Sequence, residues 1–135
     1  LETWNKMMAL NATGVYITAG SVAGYMVQNE IQGSISIIAA RGAKAGGKNS
    51  AAYAASKSAA IRVMESMAAE LRDDRIRVNA LSPSIVDTPA NREDMGEEKA
   101  ELWVSPAEIG NTLIFLASEK ASAITGTKVG IYKWV

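Results

Sequence analysis

Residues 50–83, SAAYAASKSAAIRVMESMAAELRDDRIRVNALSP, carry a helix pattern followed at once by a strand pattern. Asn49 or Ser50 can cap a helix over 50–72, because short polar side chains accept hydrogen bonds from the first free N–H groups of a helix. The β-branched run at 75–82 predicts a buried strand that the following proline ends. The apolar residues that repeat at helical spacing are Ile61, Met64, Met67, Ala68 and Leu71.

The same alternation continues on both sides of this stretch. The other predicted elements are a helix over 2–28, a strand within 33–40, a helix that begins at Pro106 after a capping box of Ser105 and Glu108, and a strand over 127–132. The residues between the second strand and Pro106 include a run of charges and predict an exposed, mobile segment over 83–105. Alternating helices and strands predict an α/β fold with a parallel sheet and helices on both faces. Three strands make a narrow sheet, so either a partner supplies the rest or the chain is half a domain.

The first helix has no charged residue between Lys6 and Glu30. That length matches a membrane span, but polar and glycine residues interrupt the run, and we predict a helix buried on most of its sides instead. Gly20 and Gly24 lie one turn apart, where another helix can approach closely.

Composition excludes several classes of chemistry. The 14 basic and 14 acidic residues balance, which argues against nucleic acid or an anionic membrane as the partner. With no cysteine and no histidine, disulfides, thiol nucleophiles, zinc sites of the Cys/His type and histidine bases are excluded, and no metal site is predicted. The chain begins at Leu1 without the features of a signal peptide, so we expect a cytoplasmic protein and a piece of a longer one.

Tyr53 and Lys57 lie four residues apart, which places both side chains on one face of the helix. A nearby ammonium stabilises a phenolate and lowers the pKa of the tyrosine from its ordinary value of about 10. Tyr53 is therefore a candidate proton donor to a carbonyl or imine under reduction. The alternative is a surface Tyr and Lys that happen to share a helix face.

Four blocks in order, YAASK, RIRVNALSPSIVDT, SPAEIGNTLIFLAS and ITGT, resemble the C-terminal half of the short-chain dehydrogenase/reductase family over nearly the whole chain. The resemblance implies a Rossmann-like parallel sheet, with 1–135 as a single partial domain, and the use of NAD or NADP. It implies that Tyr53 is the catalytic acid/base and that Lys57 holds the nicotinamide ribose. Asn11 matches a helix asparagine that supports a proton relay through water.

The loop SPSIVDT, by the same resemblance, lies beside the nicotinamide. Pro83 and Ser84 stand where the family prefers Pro-Gly. The backbone near Ile85 and the hydroxyl of Thr88 are then expected to contact the carboxamide. For Pro83 alone, a plain turn at the end of a strand is an adequate explanation.

Two departures from the family pattern stand out. The family's active-site serine stands thirteen residues before the tyrosine, and this chain has Ala40 there. Dihydropteridine reductase also lacks that serine, and the sequences GAKA at 42–45 and DTPANREDM at 87–95, with Trp103, resemble that branch. The glycine-rich phosphate loop of the family is absent, and RGAKAGGK at 41–48 matches neither dinucleotide nor Walker patterns.

Two functional hypotheses follow. The first is an NAD(P)H-dependent reductase of a small molecule, with a pterin-like or other conjugated substrate, for which the isolated chain is expected to be inactive. The second is a truncated, non-catalytic module that dimerises through its two long helices. Either way we expect a homodimer or homotetramer, built on small and apolar faces that include Gly20, Gly24, Ala60, Met64 and Met67.

Overall fold

The computed structural model describes residues 1–134 as helices alternating with strands. The strands are β1 (Gly33–Ile38), β2 (Ile76–Pro83) and β3 (Lys128–Ile131). The α-helices are α1 (Glu2–Met8), α2 (Gly14–Gln28), α3 (Ala51–Glu70), α4 (Pro89–Met95) and α5 (Pro106–Ala117). Short 3₁₀ turns cover Arg41–Ala43, Ala100–Leu102 and Glu119–Ala121.

The three strands form one parallel sheet in the order β1-β2-β3. The register runs from Gly33 opposite Ile76 to Ile38 opposite Leu81, and Ala80 to Pro83 pair with the whole of β3. The sequence-based prediction of a narrow parallel sheet is confirmed. Its consequence is that the carboxyl ends of β1 and β2 meet at one edge.

Helices cover both faces of the sheet, as predicted. Alternate residues of β2 point to opposite sides: Val78 and Ala80 belong to a core with α3, whereas Leu81 packs with Leu116 of α5. All five apolar residues predicted for the core of α3 are buried. Because the strands follow one another in one direction while α3 and α5 lie on opposite faces, the two crossovers have opposite hands.

The predicted helix over 2–28 is continuous but irregular, because a π-helical turn at Ala9–Thr13 joins α1 to α2. Our expectation that it is buried on most sides is wrong. In α2 only Ala19 and Ala23 are buried, while Tyr16 is 67% exposed. A Cβ added at Gly20 or Gly24 would contact nothing within 4 Å, so no helix of residues 1–134 approaches there.

Ala60, Met64 and Met67 do not form an exposed face. All three are buried in the core between α3 and the sheet, which corrects the expected composition of a dimer interface. Among residues 1–134, none of the helices combines the length and the apolar character that crossing a bilayer requires.

Three local predictions have different outcomes. The capping box at the start of α5 is present, with Ser105 and Glu108 each bonding the other's backbone N–H. Ser50 precedes α3, but its Oγ bonds Gly47 and caps no helical N–H. The segment 83–105 is not exposed throughout, because Trp103 is 4% exposed, Val104 is fully buried, and Val104 pairs with Val86.

Candidate active site

A cavity of about 540 Å³ opens at the carboxyl ends of β1 and β2, beside the first two turns of α3. Most of its charged and polar lining comes from three places: the 3₁₀ turn after β1, the face of α3 and the loop after β2. The lining residues include Ala40, Arg41, Tyr53, Lys57, Pro83, Ser84, Ile85 and Asn91. This is the end of a parallel sheet at which α/β proteins bind their ligands.

Tyr53 and Lys57 both line this cavity. The four-residue spacing on α3 stacks one side chain above the other, and the Lys57 Nζ lies 6.0 Å from the centroid of the Tyr53 ring. Nζ donates a hydrogen bond of 3.1 Å to the carbonyl oxygen of Ile38, the last residue of β1. An ammonium has three N–H donors, so two remain for a ligand.

Burial sets the protonation of this pair. Partial desolvation raises the pKa of the Tyr53 phenol above its ordinary value and lowers the pKa of the Lys57 ammonium, because burial disfavours the charged form of each group. This is the opposite of the direction expected for Tyr53 from the sequence. The Lys57 ammonium contacts Ile38 instead of the phenol, and it does not offset the desolvation.

Asn11 lies in the π-helical turn, and its side chain points to α3. The Nδ2 group donates to Ser56 Oγ at 3.2 Å, and Ser56 Oγ donates to the Tyr53 carbonyl oxygen at 2.9 Å. Asn11 is therefore linked to the backbone of Tyr53 through one buried hydroxyl and contacts neither the Tyr53 nor the Lys57 side chain directly. The sequence analysis did not identify Ser56. Its sequence gives one indication of a role: Ser56 is a polar residue that directly precedes Lys57 on α3.

The loop after β2 brings Pro83, Ser84 and Ile85 to the cavity. Ser84 is held by the residue that follows β3, since its Oγ donates a hydrogen bond of 3.0 Å to the Tyr132 carbonyl oxygen. Among residues 1–134 the N–H of Ile85 has no hydrogen-bond partner, while its carbonyl accepts from Val104. A free backbone donor at this point is what a carboxamide oxygen requires.

Thr88 stands farther along the same loop and is not part of the cavity lining. Its Oγ1 accepts from the N–H of Asn91 at 3.2 Å and so caps α4. The hydroxyl keeps its own hydrogen for another acceptor. Asp87 and Arg92 form a two-bond ion pair of 2.6 and 3.0 Å around this cap, and that pair lowers the pKa of the Asp87 carboxyl.

Ala40 continues β1 in an extended conformation and is largely buried, and it presents only a methyl group. Arg41 and Gly42 follow in a tight turn against Tyr53; a Cβ on Gly42 would lie 3.7 Å from Cε1 of that ring. Sequence reasoning gave Arg41 no role in the site. The signal was available, because Arg41 is adjacent to the position that the missing serine would occupy.

Residues 1–131 match the family model described as enoyl-(acyl carrier protein) reductase. The chain belongs to the short-chain dehydrogenase/reductase family. Two curated relatives are (-)-trans-carveol dehydrogenase of Rhodococcus erythropolis, 30% identical, and a 3-oxoacyl-(acyl-carrier-protein) reductase of Thermotoga maritima, 32% identical. Each alignment covers 96% of this chain.

Solved structures of the short-chain dehydrogenase/reductase family share the same backbone arrangement. A 4-hydroxyisoleucine dehydrogenase mutant complexed with NADH and succinate is 28% identical with a TM-score of 0.90, over 97% of this chain and 58% of that one. Another family member is 30% identical with a TM-score of 0.89, over 98% and 57%. The chain spans about half the length of the two curated relatives, 55% and 56%.

Proposed function

We propose that this chain supplies the catalytic part of an NAD(P)-dependent oxidoreductase that acts on a small molecule. One observation carries the proposal: Tyr53 and Lys57 line a single cavity at the carboxyl ends of two parallel strands. A surface pair would not share a concave site with a free backbone donor. Similarity to relatives named as dehydrogenases and reductases supports the same reaction class.

The residues around the cavity fit the nicotinamide end of a dinucleotide. The free N–H of Ile85 suits the carboxamide, and two unused N–H groups of Lys57 suit ribose hydroxyls; Pro83, Ser84 and Thr88 form the adjoining loop. When bound, the cofactor supplies or accepts the hydride. The sequence holds no phosphate-binding glycine loop, so the isolated chain is expected to be inactive, and the choice between NAD and NADP is left open.

Tyr53 is the proton donor in this proposal, because among the cavity-lining hydroxyls of residues 1–134 its hydroxyl alone is free to donate. Ser84 Oγ, the other one, already donates to Tyr132. Lys57 orients the ligand beside the phenol, and its positive charge favours the phenolate that proton donation leaves behind only when the ammonium turns from the Ile38 carbonyl towards the phenol. Asn11 holds the Tyr53 turn of α3 in place through Ser56, which makes it a positioning residue.

The test is Tyr53→Phe in the protein produced from the complete reading frame, with oxidation of NADH as the assay. Loss of the proton donor should lower kcat by roughly 10² or more, the scale of general-acid catalysis. Tyr25→Phe is the matched control, since Tyr25 is 62% exposed on α2 and does not line the cavity. Lys57→Met, with Lys44→Met as its control, should lower kcat and also weaken NADH binding.

An unchanged rate in Tyr53→Phe would show that Tyr53 and Lys57 are surface residues that share a helix face and take no part in catalysis. An equal loss in Tyr25→Phe would point to misfolding. Circular dichroism of all four variants separates these outcomes, because the exposed controls and the two site variants should keep the same helix content.

For the substrate, we infer a conjugated, electron-poor ring such as a pterin. The observation that favours it is Ala40, since a reaction that develops an alkoxide gains from a second hydroxyl donor, and this cavity lacks one. Hydride addition to a conjugated imine places charge on nitrogen, which Tyr53 can protonate alone. The curated relatives, by name, act on other substrates, and this narrower assignment rests on Ala40.

For the assembly, we infer a homodimer or homotetramer of the cytoplasm, with no nucleic acid as partner. The outer side of α2 exposes Tyr16, Ile17 and Val22 beside Gly20, an apolar surface next to a cavity of about 540 Å³ shared with α3. The same surface suits the alternative function, a non-catalytic dimerising module. Sedimentation decides the assembly, and the Tyr53→Phe assay decides between enzyme and module.

A further inference from the structure

We propose that Arg41 is the residue that selects the substrate, and that the substrate carries a carboxylate. The inference rests on the proposed function, because it assigns the ligand of the same cavity. Arg41 lines that cavity together with Tyr53 and Lys57. Its guanidinium presents a planar fork of N–H donors that matches the two oxygens of a carboxylate.

The backbone of Arg41 is fixed while its side chain is free. Its carbonyl accepts from Lys44 N at 2.9 Å, and the same turn is closed by a 3.0 Å bond from Ala43 N to the Ala40 carbonyl. Ser58 on α3 holds the turn from the other side through the Ala43 carbonyl at 3.1 Å. Within residues 1–134, no carboxylate or carbonyl pairs with the Arg41 guanidinium, and what sets it apart from the other unpaired arginines, Arg72 and Arg75, is its place in the cavity lining.

The charges of the cavity are of one sign. Among residues 1–134, Arg41 and Lys57 are its only charged lining residues, and no acidic side chain of that range lines it. The closest acidic residue along the loop, Asp87, is already bonded to Arg92 by two hydrogen bonds. In a chain with net charge of zero, this concentrates positive charge where a substrate enters.

Two sources of negative charge are compatible with a free guanidinium here: a carboxylate on the substrate and the pyrophosphate of a dinucleotide. The position of Arg41 favours the substrate. It directly precedes Gly42, which packs against the Tyr53 ring, and Arg41 and Tyr53 line the same cavity, so the backbone of Arg41 lies near the proposed proton donor. A guanidinium at that place holds one end of a substrate while its other end faces the Tyr53 hydroxyl.

The test uses succinate and its neutral analogue succinamide as probes, with the protein produced from the complete reading frame and saturated with NADH. Binding is measured by calorimetry and by NMR of ¹⁵N-labelled arginine, in which the Arg41 Nε–H signal is assigned from Arg41→Gln. We expect Arg41→Gln to weaken succinate binding by about 10- to 100-fold, the range of charged hydrogen bonds, and to leave succinamide unchanged. Arg41→Lys should restore part of the affinity, and Lys44→Gln, in the same loop but outside the cavity, should change little.

Two results overturn the inference. Equal succinate affinity in wild type and Arg41→Gln shows that Arg41 is a surface side chain, and weaker NADH binding in Arg41→Gln assigns it to the cofactor phosphates. Neither measurement needs turnover. If succinate binding depends on Arg41 while Tyr53→Phe keeps full activity, the proposed proton donor fails and the carboxylate site stands.

Discussion

Ala40→Ser restores the hydroxyl that most relatives in the family are expected to carry at this position. The change adds one oxygen to the Cβ of a residue that lines a cavity of about 540 Å³. Ala40 has extended backbone, which any residue adopts, so neither space nor strain opposes the serine. We expect the free energy of unfolding to change by less than about 0.5 kcal/mol.

The expected gain in rate follows from the chemistry of the oxyanion. Removing one preorganised donor from an oxyanion site costs about 10²–10³ in kcat. A serine introduced by substitution is not aligned by evolved neighbours, so we expect the lower part of this effect, roughly a 10- to 100-fold gain in kcat/KM for a small ketone. A quinonoid dihydropterin develops no lone alkoxide, and its reduction should change by less than about threefold.

The assay follows the loss of NADH absorbance with each substrate in wild type, Ala40→Ser and Ala45→Ser. Ala45 is the matched control, because it lies in the same loop after β1, is exposed and does not line the cavity. Equal gains on both substrates, or a wild-type enzyme that already prefers the ketone, would refute the reasoning. In that case Ala40 says nothing about the substrate.

Three further predictions concern titration and stability. Tyr53 in the unliganded protein should titrate above its ordinary value of 10.0, and Lys57→Met should leave that pKa nearly unchanged, as ¹³Cζ-tyrosine NMR will show; a value below 10.0 contradicts the burial argument. Asn79→Leu should lower the free energy of unfolding in urea by about 1–3 kcal/mol, because it leaves the Thr127 N–H unpaired beside a fully buried side chain and leaves the Ile124 carbonyl only a 3.5 Å bond from Arg77. A loss below about 0.5 kcal/mol would contradict it. The Glu108 pKa lies below 4.5 in the folded protein because Ser105 donates to its carboxylate, so its stabilising effect is present above that pH and is lost as the pH falls through the folded value. Glu108→Gln should remove this acid-dependent loss, and an unaltered pH profile of stability would show that the capping box contributes none of it.

The sequence correctly predicted those features of the fold that depend only on residues close together in the chain. The repeat of Ile61 and Met64 on α3 and the Ser105–Glu108 box on α5 involve residues three or four apart, whose geometry a helix alone determines. Parallel pairing followed from the alternation of elements. The opposite hands of the two crossovers did not follow from that alternation. The rule for parallel strands favours right-handed connections and would place α3 and α5 on the same face of the sheet.

Other features depend on what a segment meets in space. The apolar side chains of Tyr16 and Ile17 suggested burial, but the sequence cannot show whether a covering element belongs to this stretch of chain. The π-helical turn at Ala9–Thr13 changes only backbone hydrogen bonds, which leave no hydrophobic pattern. Trp103 is buried next to Val104, which pairs with Val86, eighteen residues earlier in the chain. The charged run between these two residues gave no indication of that pairing.

The DTPANR sequence is explained by its own loop. Asp87 pairs with Arg92, Thr88 caps α4, Pro89 takes the first helical position, and Asn91 donates to the Val86 carbonyl at 2.7 Å. Each of these spacings is what a capped turn after a strand requires. The motif therefore carries structural information, and its likeness to the dihydropteridine reductase branch is not a guide to the substrate.

The direction of the Tyr53 pKa shift limits what the pair can do without a ligand. At neutral pH a phenol with a pKa of 10.0 is already almost fully protonated, so raising that value adds no proton donor and weakens the acid. In the oxidative direction the phenolate is the base, and each unit of increase lowers its population about tenfold. Both directions improve only if the Lys57 ammonium turns from the Ile38 carbonyl towards the phenol. The charge needed to tune Tyr53 is thus present on the next turn of α3, and its orientation controls the effect.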